Sequence, residues 1–173
     1  MKSTVFQSAV ELSKQLCSLL TQLSEEQYVA QLDLFNGSSI GQHSRHIIEF
    51  YQCLQASFEQ ECSVCYEDRK RSLAIECDLK AAVSTVEETM KWLKSIHEPF
   101  YSMNLVVRDY QNDVMNEWST PTTLAREVHH CNEHAVHHLA IIKIGLQHYF
   151  SDVVIAEQVG VAKSTTAYQK EQS

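Results

Sequence analysis

The chain has 173 residues, a formal net charge of −8 and a sequence pI near 5.5. An acidic surface repels nucleic acids and anionic membranes at long range, so neither is an expected partner. The length suits one domain that buries a core without disulfide bonds.

The first half of the chain is predicted to be helical, since only four glycines and two prolines interrupt the whole sequence. Apolar residues recur at steps of three and four from Thr4 to about Leu23, which predicts a first long helix. Ser24 and Gln27 have the spacing of a capping box and predict a short helical turn. A second long helix is predicted from Ser38 or Ser39 to Phe58.

The second half combines helices with a segment of alternating polarity. Residues 61–77 are polar and charged and are interpreted as a long connection. Its Tyr66, Asp68, Arg69 and Arg71 are interpreted as a solvated charge run, with binding of an anionic substrate as the alternative. Asp78 predicts the start of a third helix, which extends toward Pro99. Residues 104–120 alternate around a polar turn at 111–113, which favours a hairpin. A fourth helix is predicted from 119–121, with Pro121 at its first position, to about Tyr149.

These elements predict an all-α fold, a four-helix bundle with a small β-hairpin inserted between helices three and four. The bundle is assigned to residues 1–150, and residues 151–173 are interpreted as a C-terminal tail. The interior of such a bundle can hold a metal site whose ligands come from facing helices.

The fourth helix carries five histidines in fifteen residues, in the stretch VHHCNEHAVHHLAII at 128–142. At about 100° per residue, His134 and His138 lie at the edge of the buried apolar stripe, whereas His129 faces water. The two inner histidines are four residues apart, so their imidazoles lie one turn apart and can bind one ion. The alternative is an amphipathic helix flank whose histidines are satisfied by water or carboxylates.

A transition metal needs at least a third ligand, and helix two supplies two candidates. His43 and His46 both lie on or beside the apolar face of that helix. The residues alone leave open which of the two takes part.

Two motifs resemble those of a known family. The stretch SIGQHSRHI at 39–47 is similar to the helix-two motif of DinB/YfiT-like proteins, and NEHAVHH at 132–138 is similar to their helix-four motif. The resemblance implies a three-histidine site for a divalent metal at His46, His134 and His138. His43 falls where the family is usually apolar, so whether it replaces or supports His46 stays open.

Three neutral imidazoles leave an open position on zinc or nickel, which permits hydrolysis or thiol chemistry. The resemblance implies a metal-dependent thiol S-transferase that acts on small electrophiles with a low-molecular-weight thiol. The alternatives are a non-catalytic, stress-related metal-binding module, a metal-dependent hydrolase and an interaction scaffold without metal. Glu127 is a weak candidate for a general base or for a residue that orients a ligand histidine. The resemblance also implies a homodimer and a small-molecule substrate.

No apolar run reaches the roughly 18 to 20 residues that cross a bilayer, and the first twenty residues are too polar for a signal peptide. We therefore expect a cytoplasmic protein whose six cysteines are mostly reduced. Cys62 and Cys65 have the gap of a zinc knuckle, but no second pair follows at the usual spacing, which favours ordinary thiols.

Overall fold

A computed structural model of the protein describes residues 4–111, 114–165, 168 and 172. The helices and strands follow one another as α1 Thr4–Leu20, α2 Glu25–Val29, α3 Ile40–Glu59, α4 Leu73–Cys77, α5 Leu79–Ser95, β1 Ser102–Gln111, β2 Val114–Thr123 and α6 Leu124–Tyr149. Single 3₁₀ turns lie at Asp33–Phe35 and Tyr66–Asp68. The predicted mainly helical fold with an antiparallel hairpin is confirmed.

The starts of three helices follow from their capping residues. The hydroxyls of Ser24 and Ser39 accept from the backbone N–H three residues on, and the side chains at those positions, Gln27 and Gln42, bond back to the capping backbone. Asp78 caps α5 in the simpler way, by accepting from a backbone N–H. Each cap satisfies donors that a helix start leaves unpaired.

The four long helices share one core. Helix α1 packs against α5 and α6, and α3 packs against the same two helices. Large, fully buried aliphatic side chains come from all four: Leu16, Leu19, Leu20, Ile40, Ile48, Leu54, Leu93, Leu124, Leu139 and Ile142. Whether this packing is the expected four-helix bundle over residues 1–150 stays a prediction.

The hairpin is an antiparallel ribbon that pairs Ser102 with Thr123 at one end and Gln111 with Val114 at the other. Asn112 and Asp113, where the turn was predicted, lie outside the described residues. Val64 from the preceding connection pairs with the outer edge of β1: it donates to the carbonyl of residue 104 at 2.9 Å and accepts from the N–H of residue 106 at 2.8 Å. The connection is thereby tied to the hairpin.

The predicted start of the fourth helix was wrong by several residues. Pro121 lies in β2 opposite Asn104, and α6 begins only after Thr123, whose hydroxyl accepts from the backbone N–H of Arg126. Proline is tolerated because it lies in an edge strand, where it removes no ladder hydrogen bond. Pairing with β1 therefore extends the strand through the residues that local sequence assigned to a helix start.

Two other boundaries differ from expectation. Helix α1 ends at Leu20 rather than near Leu23, and Thr21 donates its hydroxyl to the carbonyl of Cys17 at 3.0 Å. The connection at residues 61–77 contains a 3₁₀ turn and the short helix α4, which buries Ile75. This connection therefore has a defined path over the surface of α3.

The described part of the predicted tail folds back on the helices. Val153 and Val159 are buried, and the Lys143 ammonium on α6 donates to the carbonyls of Glu157 at 2.8 Å and Val159 at 3.3 Å. None of the helices in the described ranges is both long and apolar enough to cross a membrane.

Candidate metal centre

The three histidines singled out by sequence lie together between α3 and α6. His46 comes from the second turn of α3, and His134 and His138 lie one turn apart on α6. Each pair of rings is separated by 4.7 Å between centroids, and one potential ligand atom from each residue lies within 4.8 Å of the others. Among the described residues, this is the only such cluster of three or more histidine, cysteine or acidic side chains.

The helices bring these side chains together because each places a histidine beside its buried stripe. On α3, Ile47 and Phe50 are buried next to the partly exposed His46. On α6, Ala135 and Leu139 are buried next to the partly exposed His134 and His138. The cluster therefore lies at the rim of the core, where a bound ion would be reachable from solvent.

All three imidazoles are neutral near pH 7. Burial lowers the pKa of His46 to about 4, helped by repulsion from His134 and Arg69. Burial also lowers the pKa of His134 to about 4 and, together with the neighbouring His46, that of His138 to about 3. Neutral imidazoles are the form that binds a transition metal, so no protons need to be displaced at this pH.

His134 provides an independent sign of a missing partner. Its Nε2 atom is buried and finds no hydrogen-bond partner among the described residues. A buried ring nitrogen is normally satisfied, and a metal ion would satisfy this one. The three histidines therefore fit a divalent transition metal both in donor type and in protonation.

An aromatic stack fixes the ring of His134. Phe50 of α3 stacks on it at 4.0 Å between centroids, with 17° between the planes, and Tyr66 stacks on Phe50 at 4.9 Å between centroids, with 11° between the planes. Because the stack joins α3, α6 and the connection, the ligand orientation depends on three separate segments. The sequence predicts Phe50 on the inward face of its helix and Tyr66 in the charged connection, but no local pattern predicts that either contacts the histidines.

His43 lies beside the cluster and contacts His138. The Nδ1 atoms of the two rings are 2.9 Å apart, a hydrogen-bond distance in which one ring donates and the other accepts. Its other face meets Phe35 edge-on at 4.9 Å between centroids.

Arg69 reaches the opposite side of the cluster. Its Nη2 lies 3.3 Å from Nδ1 of His46, and its guanidinium carbon lies 5.3 Å from the centre of the Phe50 ring. The interpretation of Arg69 as part of a solvated charge run was wrong, because its side chain is only 17% exposed. The 3₁₀ turn at Tyr66–Asp68 sets its direction, and no periodic signal in the sequence predicts that turn.

A buried carboxylate anchors this positive charge. Glu49 of α3 is 1% exposed, accepts from the backbone N–H of Ser72 at 2.7 Å, and lies 3.8 Å from Arg69 and 3.6 Å from Arg45. Arg45 is paired in turn with Glu76. In the row Arg69, Glu49, Arg45 and Glu76, each charge lies beside one of opposite sign. This pairing offsets the cost of removing the charges from water.

Glu127 serves a different purpose from the roles considered for it. It is fully buried, and its oxygens accept from the hydroxyl of Tyr66 at 3.0 Å, the hydroxyl of Thr122 at 2.6 Å and the guanidinium of Arg126 at 2.8 Å. These bonds join the connection, the hairpin and α6. The carboxylate is therefore engaged in holding the structure around the Phe50–Tyr66 stack.

The thiols near the connection are not activated. Burial raises the pKa of Cys53 to about 11 and raises the pKa of Cys65 as well, which is opposite to the shift of a reactive or metal-binding thiolate. Cys62 is exposed.

The fold and the cluster define a mainly helical protein with a three-histidine candidate metal centre between two of its long helices. A family model described as the DinB superfamily matches residues 11–142, which is most of the chain. The protein therefore belongs to the DinB superfamily. Neither a curated protein nor a solved structure matches the chain.

Proposed function

We propose that the protein binds one divalent transition metal, zinc or nickel, through His46, His134 and His138, and that it is a metal-dependent thiol S-transferase acting on small electrophiles. The observation that carries the metal site is the convergence of three neutral imidazoles, one of them with a buried nitrogen that has no partner among the described residues. Membership of the DinB superfamily agrees with it.

Three protein ligands leave a coordination position free, in contrast to the four-ligand cages of structural zinc sites. A metal bound there supplies Lewis acidity, which holds a thiol as its thiolate or lowers the pKa of a water molecule. The chain's own contribution is to fix the imidazoles in their neutral form and to exclude water from the inner side of the cluster, where Phe50 packs.

Arg69 supports the proposal that a negatively charged co-substrate, such as a thiolate, binds at the metal. Its guanidinium lies against His46, so a negatively charged group approaching the metal is attracted by a second positive charge. A low-molecular-weight thiolate has that charge. Hydrolysis needs a general base beside the metal, and the carboxylate of Glu127 is already engaged by three donors.

The first test is metal content. His134→Ala removes one of three ligands and is expected to abolish stoichiometric metal, because two imidazoles bind a divalent ion far more weakly than three. The measurement is elemental analysis of protein purified without added metal. His129→Ala is the matched control, since His129 is an exposed histidine on the same helix and should leave one equivalent bound. Full occupancy in His134→Ala would disprove the ligand assignment.

The second test separates an enzyme from a non-catalytic metal-binding module, which would keep the same three histidines. Zinc- and nickel-loaded protein is assayed with a panel of low-molecular-weight thiols and a chromogenic aryl halide. Turnover that requires both thiol and metal, and that falls in Arg69→Gln while metal content is retained, supports the transferase. Metal-loaded protein without turnover for any thiol would favour the binding module.

At the level of assembly, we propose that α1, α3, α5 and α6 form the four-helix bundle of residues 1–150, with residues 151–173 as a tail, and that the protein is a homodimer. The ribbon supports the proposal of an association surface, because it exposes about half or more of four large apolar side chains: Tyr110, Val114, Met115 and Trp118. Light scattering on the metal-loaded protein gives the mass in solution. A monomeric mass at micromolar concentration would exclude the homodimer.

A further inference from the structure

The contact between His43 and His138 constrains where the protons of both rings lie. An imidazole that is neutral has one N–H donor and one lone pair, and the two Nδ1 atoms are 2.9 Å apart. One Nδ1 atom must therefore carry a proton and donate it in a hydrogen bond, and the other must accept that hydrogen bond with its lone pair.

Metal binding is compatible with only one of the two arrangements. Nδ1 of His138 is occupied by the contact with His43, so the nitrogen left for a metal is Nε2. A neutral imidazole that offers the lone pair of Nε2 carries its proton on Nδ1. If His43 donated instead, the proton of His138 would lie on Nε2, and neither nitrogen of His138 would be free to bind.

We infer that His43 is a positioning residue for the metal: it accepts a hydrogen bond from Nδ1–H of His138 and thereby holds His138 in the tautomer that presents Nε2 to the ion. The inference rests on the proposed metal site and answers how His43 takes part, as a support for a ligand and not as a replacement for His46. Ligand histidines commonly have such an acceptor on their second nitrogen, usually a carboxylate or a carbonyl. Here an imidazole takes that place.

The surroundings keep His43 in this role. Its ring is half-buried between Phe35 and His138, and its Nε2 atom is buried without a hydrogen-bond partner among the described residues. In the inferred arrangement that atom carries the proton of His43. Contacts with Phe35 and with His138 therefore hold the ring in place.

A matched pair of substitutions tests the inference. In His43→Asn, the amide oxygen is attached to the same carbon as Nδ1 was, so the acceptor is kept. His43→Leu has nearly the same shape as the asparagine variant and has no acceptor. We expect zinc affinity, measured by competition with a chromogenic chelator, to fall about 10- to 100-fold in His43→Leu and to be largely restored in His43→Asn. His129→Leu controls for loss of a surface imidazole.

Long-range proton–nitrogen NMR on the zinc-loaded wild-type protein reads the tautomers directly and does not depend on any variant folding. The expected spectrum has His138 protonated at Nδ1 and His43 protonated at Nε2. Protonation of His43 at Nδ1, or a fourth imidazole bound to zinc, would overturn the inference.

The outcomes for affinity separate the two proposals. If the wild-type protein holds one equivalent of zinc and His43→Leu holds it equally tightly, only the role of His43 fails. If the wild-type protein holds no stoichiometric metal, the proposed metal site fails, and the role of His43 fails with it.

Discussion

Burial governs the chemistry of the individual histidines at the centre. It is the largest cause of the lowered pKa of His46, His134 and His138, and the neighbouring imidazoles lower each pKa further. The same burial that keeps the rings available for a metal also makes them costly to protonate. Without a metal, the folded state therefore resists proton uptake that the unfolded chain accepts readily.

This difference predicts acid sensitivity of the metal-free protein. The three pKa values are about 3 to 4 in the folded protein and 6.5 in the reference state, so the unfolded chain binds more protons between these limits. The contribution of the neutral histidines to the free energy of unfolding should be complete above about pH 6.5 and should be lost as the pH drops toward about 4. Urea denaturation of metal-free protein at a series of pH values measures the slope.

Carboxylates also titrate in the lower part of this range, so a variant isolates the contribution of the histidines. His138→Asn removes one group with a lowered pKa and should show a shallower dependence between about pH 6.5 and 5 than the wild-type protein. Equal slopes in the two proteins would contradict the assignment of the dependence to this cluster.

Among the elements, those predicted correctly have signals contained within a few residues. The capping box at Ser24 and the cap at Asp78 each depend on residues three apart, the helix start was placed near Ser39, and the spacing of His134 and His138 depends on one helical turn. The start of α6 was missed because it depends on pairing between strands. Such pairing overrides local propensity, and its extent is not encoded next to the residues that it changes.

Helix α6 also depends on a small residue. A side chain at Gly145 would overlap the ring of Phe35, which lies in the 3₁₀ turn at Asp33–Phe35 and also contacts His43. Gly145→Ala is therefore expected to lower the free energy of unfolding by about 1–3 kcal/mol, even though alanine favours a helix. Chemical denaturation of the metal-free protein measures the change.

Phe35→Leu offers the matched control for this overlap. If the ring of Phe35 causes the loss, adding Gly145→Ala to Phe35→Leu should cost clearly less than adding it to the wild-type protein. Additive losses would show that the effect of Gly145 arises elsewhere.

At the scale of the whole molecule, sequence sufficed to single out the histidines that cluster but not to place their surroundings. Both motifs lie in long helices of regular period, so the faces of His134 and His138 could be assigned without knowing the tertiary structure, whereas only the family resemblance separated His46 from His43. Arg69 and Tyr66 lie in an irregular connection, and their positions depend on contacts with α3, the hairpin and α6 that are distant in sequence. Irregular backbone carries no repeating signal from which such contacts can be predicted.

A metal that bridges α3 and α6 should stabilise the entire fold. An ion that binds only the folded state contributes RT ln(1 + [L]/Kd), which is about 4 kcal/mol at a thousandfold excess over Kd. We expect the midpoint of thermal unfolding to rise when zinc is added to metal-free protein and to remain unchanged in His134→Ala. A comparable rise in His134→Ala would place the stabilising ion at another site.

Two properties of the candidate centre, binding of the ion and attraction of negatively charged molecules, depend on different segments of the chain. The helices carry the three candidate ligand histidines, whereas the guanidinium beside them comes from a surface connection. We therefore expect substitutions in that connection to change how strongly the centre attracts negatively charged molecules and to leave its affinity for the ion largely unchanged. Relatives with the same histidines but another residue here could differ in the compounds that they accept.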